Sequence, residues 1–482
     1  MKRIPYSIPD PERWRTWITI TLVVKVLMLF LMLHIGAIGT GEAGVLGVWW
    51  SDAPTYFDPI DSLLRGDDYL PDLRLPGYGV VYLLVRLFTE PPLTYDVIVV
   101  LQFLVAAISM YVLPRLVFRI TGSRPMFLIT LLVYIASISV HWYDGVMLTE
   151  SLCASAMIFC MDRLESWYRT GSKTALFTAG LWLTWAIFLK PVIAPVPAFA
   201  LMALWLARAE RGAFVRNALM FLLPLIVIDG AWILRNAMRY GEFSPVARML
   251  YTGSDAPTPE LRAVEFVIVF GGDCTWWTDP QAEVRFFNTG KDQLPGHTNA
   301  SSIVLPDRIM TSVYNRDTLR ATADEILALK EPTVTKEQRA VRNKVINARF
   351  ERWTQAFIDE HPFQYHLLSR LLALRRYVLQ TGNPIAYDLT FREMPLHYKA
   401  LKLFHLALHW ITVLGGCVGG WIWFRRGNAR PLALFPALIV PFGILIFPFA
   451  LRLSEHRYMV PFIPAMLLCL VVGWHTRTAR TT

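Results

Sequence analysis

Hydrophobic residues along this chain fall in long uninterrupted runs, separated by short basic or turn-rich stretches. Ten runs are read as candidate membrane helices, at roughly 17–38, 93–114, 126–143, 145–164, 174–189, 191–207, 215–234, 400–424, 431–451 and 456–474. A helix needs about 20 apolar residues to cross the bilayer core. The first run follows a polar start with no small-residue cleavage site after it, so it reads as a retained span. The pattern predicts an all-α polytopic membrane protein of about ten transmembrane helices, with a small, mostly helical extramembrane subdomain. Residues 1–235 form an N-terminal transmembrane module whose first outer loop is 39–92. Residues 236–399 form a large loop or subdomain, and 400–482 the last helices. Within the loop, "VRNKVINARFERWTQAF" sets Val345, Phe350, Trp353 and Phe357 near one helical stripe.

Composition agrees with a membrane chain. It has 482 residues, 54% hydrophobic, 17% charged and 17 Trp, with mean hydropathy +0.40, which is too apolar for an ordinary soluble protein. The formal charge of +10 has a topological origin. Lys2, Arg3, Arg13 and Arg15, then Arg115, Arg119 and Arg124, then Arg163, Arg169 and Lys173 fall in alternate connections. Arg208, Arg211 and Arg216, then Arg425, Arg426 and Arg430, and finally Arg477 and Arg480 continue the series on the same side. Positive charge marks the cytoplasmic face, so both termini are expected there, and no nucleic-acid partner is needed to explain the charge. Five cysteines supply neither a disulfide framework nor a CxxC pair.

Three cations break the rule. Lys190 in "FLKPVIAP", Arg235 in "ILRNAMRYGEF" and Arg457 in "SEHRYMVPF" sit at outer helix ends, with Glu455 and His456 beside the last. Each alone can snorkel and anchor a helix; together they suggest an anionic headgroup at the outer surface. The first outer loop, "WWSDAPTYFDPIDSLLRGDDYLPDLRLPGYG", carries six aspartates. Asp58 sits where an N-cap belongs, with Pro59 at N1, Asp61 at N3 and Gly66 at the end of a short helix. Asp67 and Asp68 read as solvated, and Asp72 can orient Arg74. Asp52 has no such local reason. It follows Trp49 and Trp50, residue types of the interfacial belt, which puts a carboxylate where the cations gather.

The order of these motifs resembles the GT-C glycosyltransferases, nearest the branch of the protein mannosyltransferases and the lipid A aminoarabinose transferase. The resemblance rests on Asp52 with Tyr56 and "LLRG", "RLPGYG" at Arg74–Gly79, and "MLTESL" at Met147–Leu152. It continues with "LRNAMRYGEFSPV" at Leu234–Val246 and "EHRYMVPFIP" at Glu455–Pro464. Gly79 stands where the family has proline, and no second acidic residue adjoins Asp52. The resemblance implies a GT-C-type bundle and an inverting transferase. Such an enzyme moves a sugar from a polyprenyl-phosphate donor to a hydroxyl of a lipid, glycan or protein acceptor, among membrane lipids. Asp52 is then the general base. Arg74, Lys190, Arg235 and Arg457 steady the leaving phosphate, with Tyr458 as a hydroxyl donor and Tyr56 and Glu455 beside them.

Asp144 either caps the next helix before Gly145 or positions acceptor or sugar, and Glu150 needs a cation or a proton at its depth. Trp276 and Trp277 serve as anchors or stack on a sugar. No cofactor is expected and a divalent metal is not favoured: "GDDY" is contiguous, His297 stands apart, and His361 and His366 miss the same-face i,i+4 spacing. A bacterial inner membrane, with the site on the periplasmic side, is the expected location. Two alternatives share the spans and outer cations. One is an O-antigen ligase or polymerase acting on lipid-linked oligosaccharide. The other is a lipid or glycan transporter, which favours matched halves and a midplane site; no halves match here.

Overall fold

A computed structural model of the chain describes residues 10–34, 44–49, 52–69, 74–207, 211–241, 243, 245–246, 258–270, 307–329, 331, 333–379, 391–392, 394–427 and 429–478. Among the described residues the protein is all-α, and one isolated parallel bridge joins Val48 to Val146. Two compact units are present. The first comprises Met1–Met249, Phe404–Gly443 and Arg457–Thr482; the second comprises Leu250–Leu403 and Ile444–His456.

The first unit opens with α1 (Trp14–His34), α2 (Pro54–Leu64), α3 (Gly77–Arg86) and α4 (Leu93–Thr121). It continues through α5 (Arg124–Ala136), the short α6 (Ile138–His141), α7 (Glu150–Thr170), α8 (Lys173–Leu189), α9 (Val196–Ala207) and α10 (Arg211–Tyr240). The second unit holds α11 (Pro259–Val269), α12 (Arg316–Ala328), α13 (Lys336–Glu360) and α14 (Ser369–Leu379). α15 (Leu396–Arg426), α16 (Arg430–Leu445) and α17 (Ile463–Thr478) fall mainly in the first.

Six helical stretches among the described residues are long and apolar enough to cross a membrane, and a seventh forms if α5 and Ile138–Asp144, bent by 59°, count as one. Two of the ten runs read from the sequence form shorter apolar helices, and one begins later than drawn. Lys173–Leu189 and Pro191–Ala207 are apolar but short. The run drawn at 145–164 folds as α7, which starts at Glu150 and carries Asp162, Arg163, Glu165 and Arg169. Those charges are tolerated because other helices answer them, as described below.

Local chemistry sets the joints. The tripeptide Thr-Gly-Ser occurs after both α4 and α7. In each case the glycine takes a left-handed φ of +67° and closes one helix, and the serine caps the next, accepting from Met126 N or Ala175 N. Pro54 at N1 starts α2, four residues before the start assigned to Asp58. Asp58 is therefore an exposed mid-helix residue, and Asp61 is no first-turn carboxylate. Asp61 instead accepts from the Tyr82 hydroxyl at 2.9 Å and from Arg86 at 3.3 Å, tying α2 to α3. The helix ends at Gly66, φ +90°, as its sequence implied.

α3 is seated on the end of α8 through Gly77. A Cβ there would lie 2.5 Å from the Phe188 carbonyl carbon and oxygen, and Trp185 Nε1 donates to the Gly77 carbonyl at 3.3 Å. Gly77→Ala should lower the melting midpoint of the purified protein, with an overpacking cost of about 1–3 kcal/mol. An unchanged midpoint would show that the backbones part freely at this contact.

The second unit has its own core. Phe266 of α11 and Phe270 just after it pack with Tyr314, Leu319 and Ile326, and with Phe350, Trp353 and Phe357 of α13. Three residues of the expected α13 stripe are thus inside. Val345 points out, 53% exposed, and its neighbour Ile346 is buried in its place.

Candidate active site

Asp52 lies two residues before α2, and its backbone carbonyl accepts from Thr55 N at 3.1 Å and Thr55 Oγ1 at 2.6 Å. This turn fixes the carboxylate at the mouth of the helix. Its Oδ2 lies 2.8 Å from Arg457 Nη1 and 3.3 Å from Arg74 Nη2. Arg74 is aimed by two further contacts: its Nε donates to Thr55 Oγ1 at 3.0 Å, and its guanidinium lies 4.9 Å above the Tyr56 ring. Arg457 Nη2 donates to the Tyr458 hydroxyl at 3.1 Å.

Lys190 closes the cluster. Pro191 cannot continue α8, so the chain turns at Lys190, φ −142°. Its ammonium donates to Glu150 Oε1 at 2.9 Å and sits 4.9 Å from the centre of the Tyr458 ring. Glu150 is 2% exposed, at the first turn of α7, where a carboxylate suits the helix dipole. Three cations, Arg74, Lys190 and Arg457, thus surround two carboxylates, Asp52 and Glu150. The surplus positive charge suits an anion.

Burial alone would push the Asp52 carboxyl up. Arg457, Arg74 and Lys190 outweigh it and hold that carboxyl below its usual range. Burial pushes the Tyr56 hydroxyl up, so it stays protonated.

An apolar cavity of about 920 Å³ opens beside the cluster, lined by Pro76, Gly77, Phe188, Trp232 and Arg235 among others. Arg235 contacts Asn236 Oδ1 at 2.8 Å, donates to the Tyr69 carbonyl, and lies over the Tyr69 and Trp232 rings at 5.4 and 5.0 Å. It therefore stands at this cavity. Asp67 and Asp68 are exposed, Asp68 paired with Arg239.

Asp144 is placed elsewhere. It is 1% exposed and is paired with Lys25 of α1, while its other oxygen accepts from Ser151 Oγ at 2.5 Å. Lys25 Nζ also meets His141 Nδ1 at 2.6 Å. α7 is preceded by Thr149, so Asp144 does not cap it. Lys25 is the participant that the sequence reading passed over; an ionisable residue inside an apolar run was its signal. Glu455 falls in the second unit. Trp50, Asp72, Cys274, Trp276, Trp277 and His297 lie outside the described residues. Among the described residues, no three His, Cys, Asp or Glu side chains gather as a metal site would require, and His361 Nε2 is engaged with the Met310 carbonyl at 2.8 Å.

No protein-family model matches the chain, and no curated protein matches it. Three solved structures do. The archaeal oligosaccharyltransferase AglB from Archaeoglobus fulgidus, in complex with an inhibitory peptide and a dolichol-phosphate, is 12% identical with a TM-score of 0.47, over 96% of this chain and 50% of that one. ArnT from Cupriavidus metallidurans is 14% identical over 95% of this chain and 78% of that one, with TM-scores of 0.36 in the apo state and 0.37 bound to undecaprenyl phosphate. The chain spans about half the length of AglB.

Proposed function

We propose that the protein is a membrane glycosyltransferase that moves a sugar from a polyprenyl-phosphate donor to a hydroxyl acceptor. The observation that carries this reading is one carboxylate, Asp52, held by Arg457 and Arg74 at 2.8 and 3.3 Å beside a large apolar cavity. A lipid phosphate has the charge for the three cations and a tail for the cavity. Arg74 and Arg457 offer directed N–H donors and Lys190 a point charge.

The acceptor oxygen attacks the anomeric carbon as the bond from that carbon to the phosphate oxygen breaks, and the configuration inverts. The electron pair leaves with the phosphate, where Arg74, Lys190 and Arg457 meet the developing charge. The acceptor proton passes to Asp52. Donor phosphate competes for the guanidiniums that hold Asp52, so its arrival frees the carboxylate to take that proton. Charge at the leaving group is supplied by side chains, and transfer is accordingly proposed to be metal-independent; undiminished transfer in EDTA is the expected result, and loss restored by a divalent ion would reverse this.

The test is transfer of label, in proteoliposomes, from polyprenyl-phosphate sugar to hydroxyl acceptors. Inverted product from this donor supports the reading. Label passing only from polyprenyl-diphosphate oligosaccharide would make the protein a ligase or polymerase, and label crossing the bilayer without transfer would make it a transporter.

A pH effect follows. Asp52 must be ionised to act, and its cationic neighbours lower its pKa. Transfer should therefore persist as pH falls into the ordinary carboxylate range near about 4. In Arg457→Gln the largest lowering influence is gone, so the acid limb, normalised to its own plateau, moves to higher pH. An acid limb unmoved by the substitution would detach Asp52 from the rate.

A further inference from the structure

We propose that the end of the first unit opposite Asp52 carries a second anion site, which takes the phosphodiester headgroup of an anionic membrane phospholipid. The separation is set by α4. Near its start, Asp96 Oδ1 accepts from Leu46 N at 2.8 Å, at the foot of the loop that leads to Asp52. Arg115 lies nineteen residues further along α4, about 29 Å of helix, close to the ~30 Å of a bilayer core.

The arginines there outnumber their carboxylates. Asp162, 2% exposed, accepts from Arg115 at 3.0 Å, Arg119 at 2.9 Å and Arg163 at 2.9 Å. Glu165 meets Arg119 at 3.3 Å and Arg169 at 3.5 Å. The remaining acid, Glu12, is 3.8 Å from Arg119 and half-exposed. Four guanidiniums thus share two buried carboxylates and one solvated one. Arg115 Nε is buried with no hydrogen-bond acceptor among the described residues. Surplus charge in a poorly solvated place is costly without a counter-anion.

A cavity of about 550 Å³ adjoins this surplus, and Arg115, Asp162 and Arg163 line it. The first turn of α8 lines the other side through Ser172 and Thr174. Ser172 Oγ accepts from Ala175 N at 3.2 Å, which leaves its own proton to donate, and a helix N-terminus favours negative charge. The remaining wall is mostly apolar, with Ser166 and Thr178 in it, and Ile108, Phe159 and Trp182 are shared with the 920 Å³ cavity. A charged pocket that opens into an apolar furrow fits a headgroup with acyl chains. A zwitterionic headgroup would bring its own cation beside the surplus arginines, so charge complementarity selects an anionic lipid.

The experiment uses the full chain in detergent, with native mass spectrometry and thermal melting. Phosphatidylglycerol, phosphatidylcholine and inorganic phosphate are the probes. Wild type should retain phosphatidylglycerol about tenfold or more over phosphatidylcholine and melt higher with it. Arg163→Gln and Arg115→Gln should each lose that preference, as removal of one charge-assisted hydrogen bond implies. Arg457→Gln, at the other end, should keep it. Arg163 is the more exposed partner, so its variant folds even if loss of Arg115 disturbs Asp162. Equal retention of the two lipids, a preference that survives Arg163→Gln, or a preference lost in Arg457→Gln would each overturn the proposal. Stabilisation by inorganic phosphate equal to that by phosphatidylglycerol would make this a free-anion site and overturn the lipid assignment.

Discussion

Replacing Asp52 by Asn should lower kcat for sugar transfer by about 10²–10⁴-fold, the range general-base assistance supplies, while leaving the donor KM equal or lower. The split follows from the geometry. The amide keeps the shape and one acceptor oxygen for Arg457, so the loop before α2 stays in place. It removes a negative charge that occupies Arg457 and Arg74 at 2.8 and 3.3 Å, so donor phosphate meets less competition for them. An interaction needed only in the transition state is lost while ground-state binding survives. Asp58→Asn is the matched control. That carboxylate is exposed on the middle of α2, and its loss should leave transfer unchanged. Near-normal turnover in the Asp52 variant, or an equal loss in both, would remove Asp52 from the base role.

Much of this arrangement is legible in the sequence, and the parts that are not have specific causes. Apolar runs report burial in lipid directly, so α1, α4, α10 and the last helices follow from hydropathy. α7 also follows from its run at 145–164, but its later start and its buried charges do not, because hydropathy counts Asp162 and Glu165 as costs, whereas the fold answers them with arginines from α4. The same non-local pairing hid Lys25, whose partner Asp144 is 119 residues away. The Asp58 error is one of local rank: Asp-Pro is a good helix start, but Pro54 offers an earlier one, and Tyr56, Phe57 and Ile60 bury a face that needs the longer helix. Asp52 is singled out in the sequence by setting the other carboxylates aside as capping or solvated, although Asp58 and Asp61 do not cap α2. Its contact with Arg457, 405 residues distant, required the fold.

The largest stability effect is expected at Lys25→Met. Lys25 and Asp144 are each 1% exposed, and removing one partner of a buried ion pair strands the other charge at a cost of about 3–5 kcal/mol. With Lys25 replaced, the buried Asp144 carboxylate keeps Ser151 Oγ at 2.5 Å and His141 Nδ1 at 3.6 Å. Converting both residues, as Lys25→Met with Asp144→Leu, removes both charges. The double variant should therefore be less destabilised than Lys25→Met alone, a coupling that a double-mutant cycle reads directly. The effect should also reach the candidate active site. Gln102 Nε2 donates to the carbonyls of Asp144 and Val146 at 2.9 and 3.1 Å. Val48 pairs with the same bend, its N donating to the Gly145 carbonyl at 2.9 Å and its carbonyl accepting from Met147 N at 3.3 Å. Loosening the bend should loosen the chain at Val48, four residues before Asp52, so in the fraction that remains folded kcat should fall with little change in donor KM. The double variant should regain part of that kcat. Simple additivity of the two substitutions in both melting and kcat would show that Lys25 and Asp144 act separately and that the intramembrane pair does not hold the Asp52 loop.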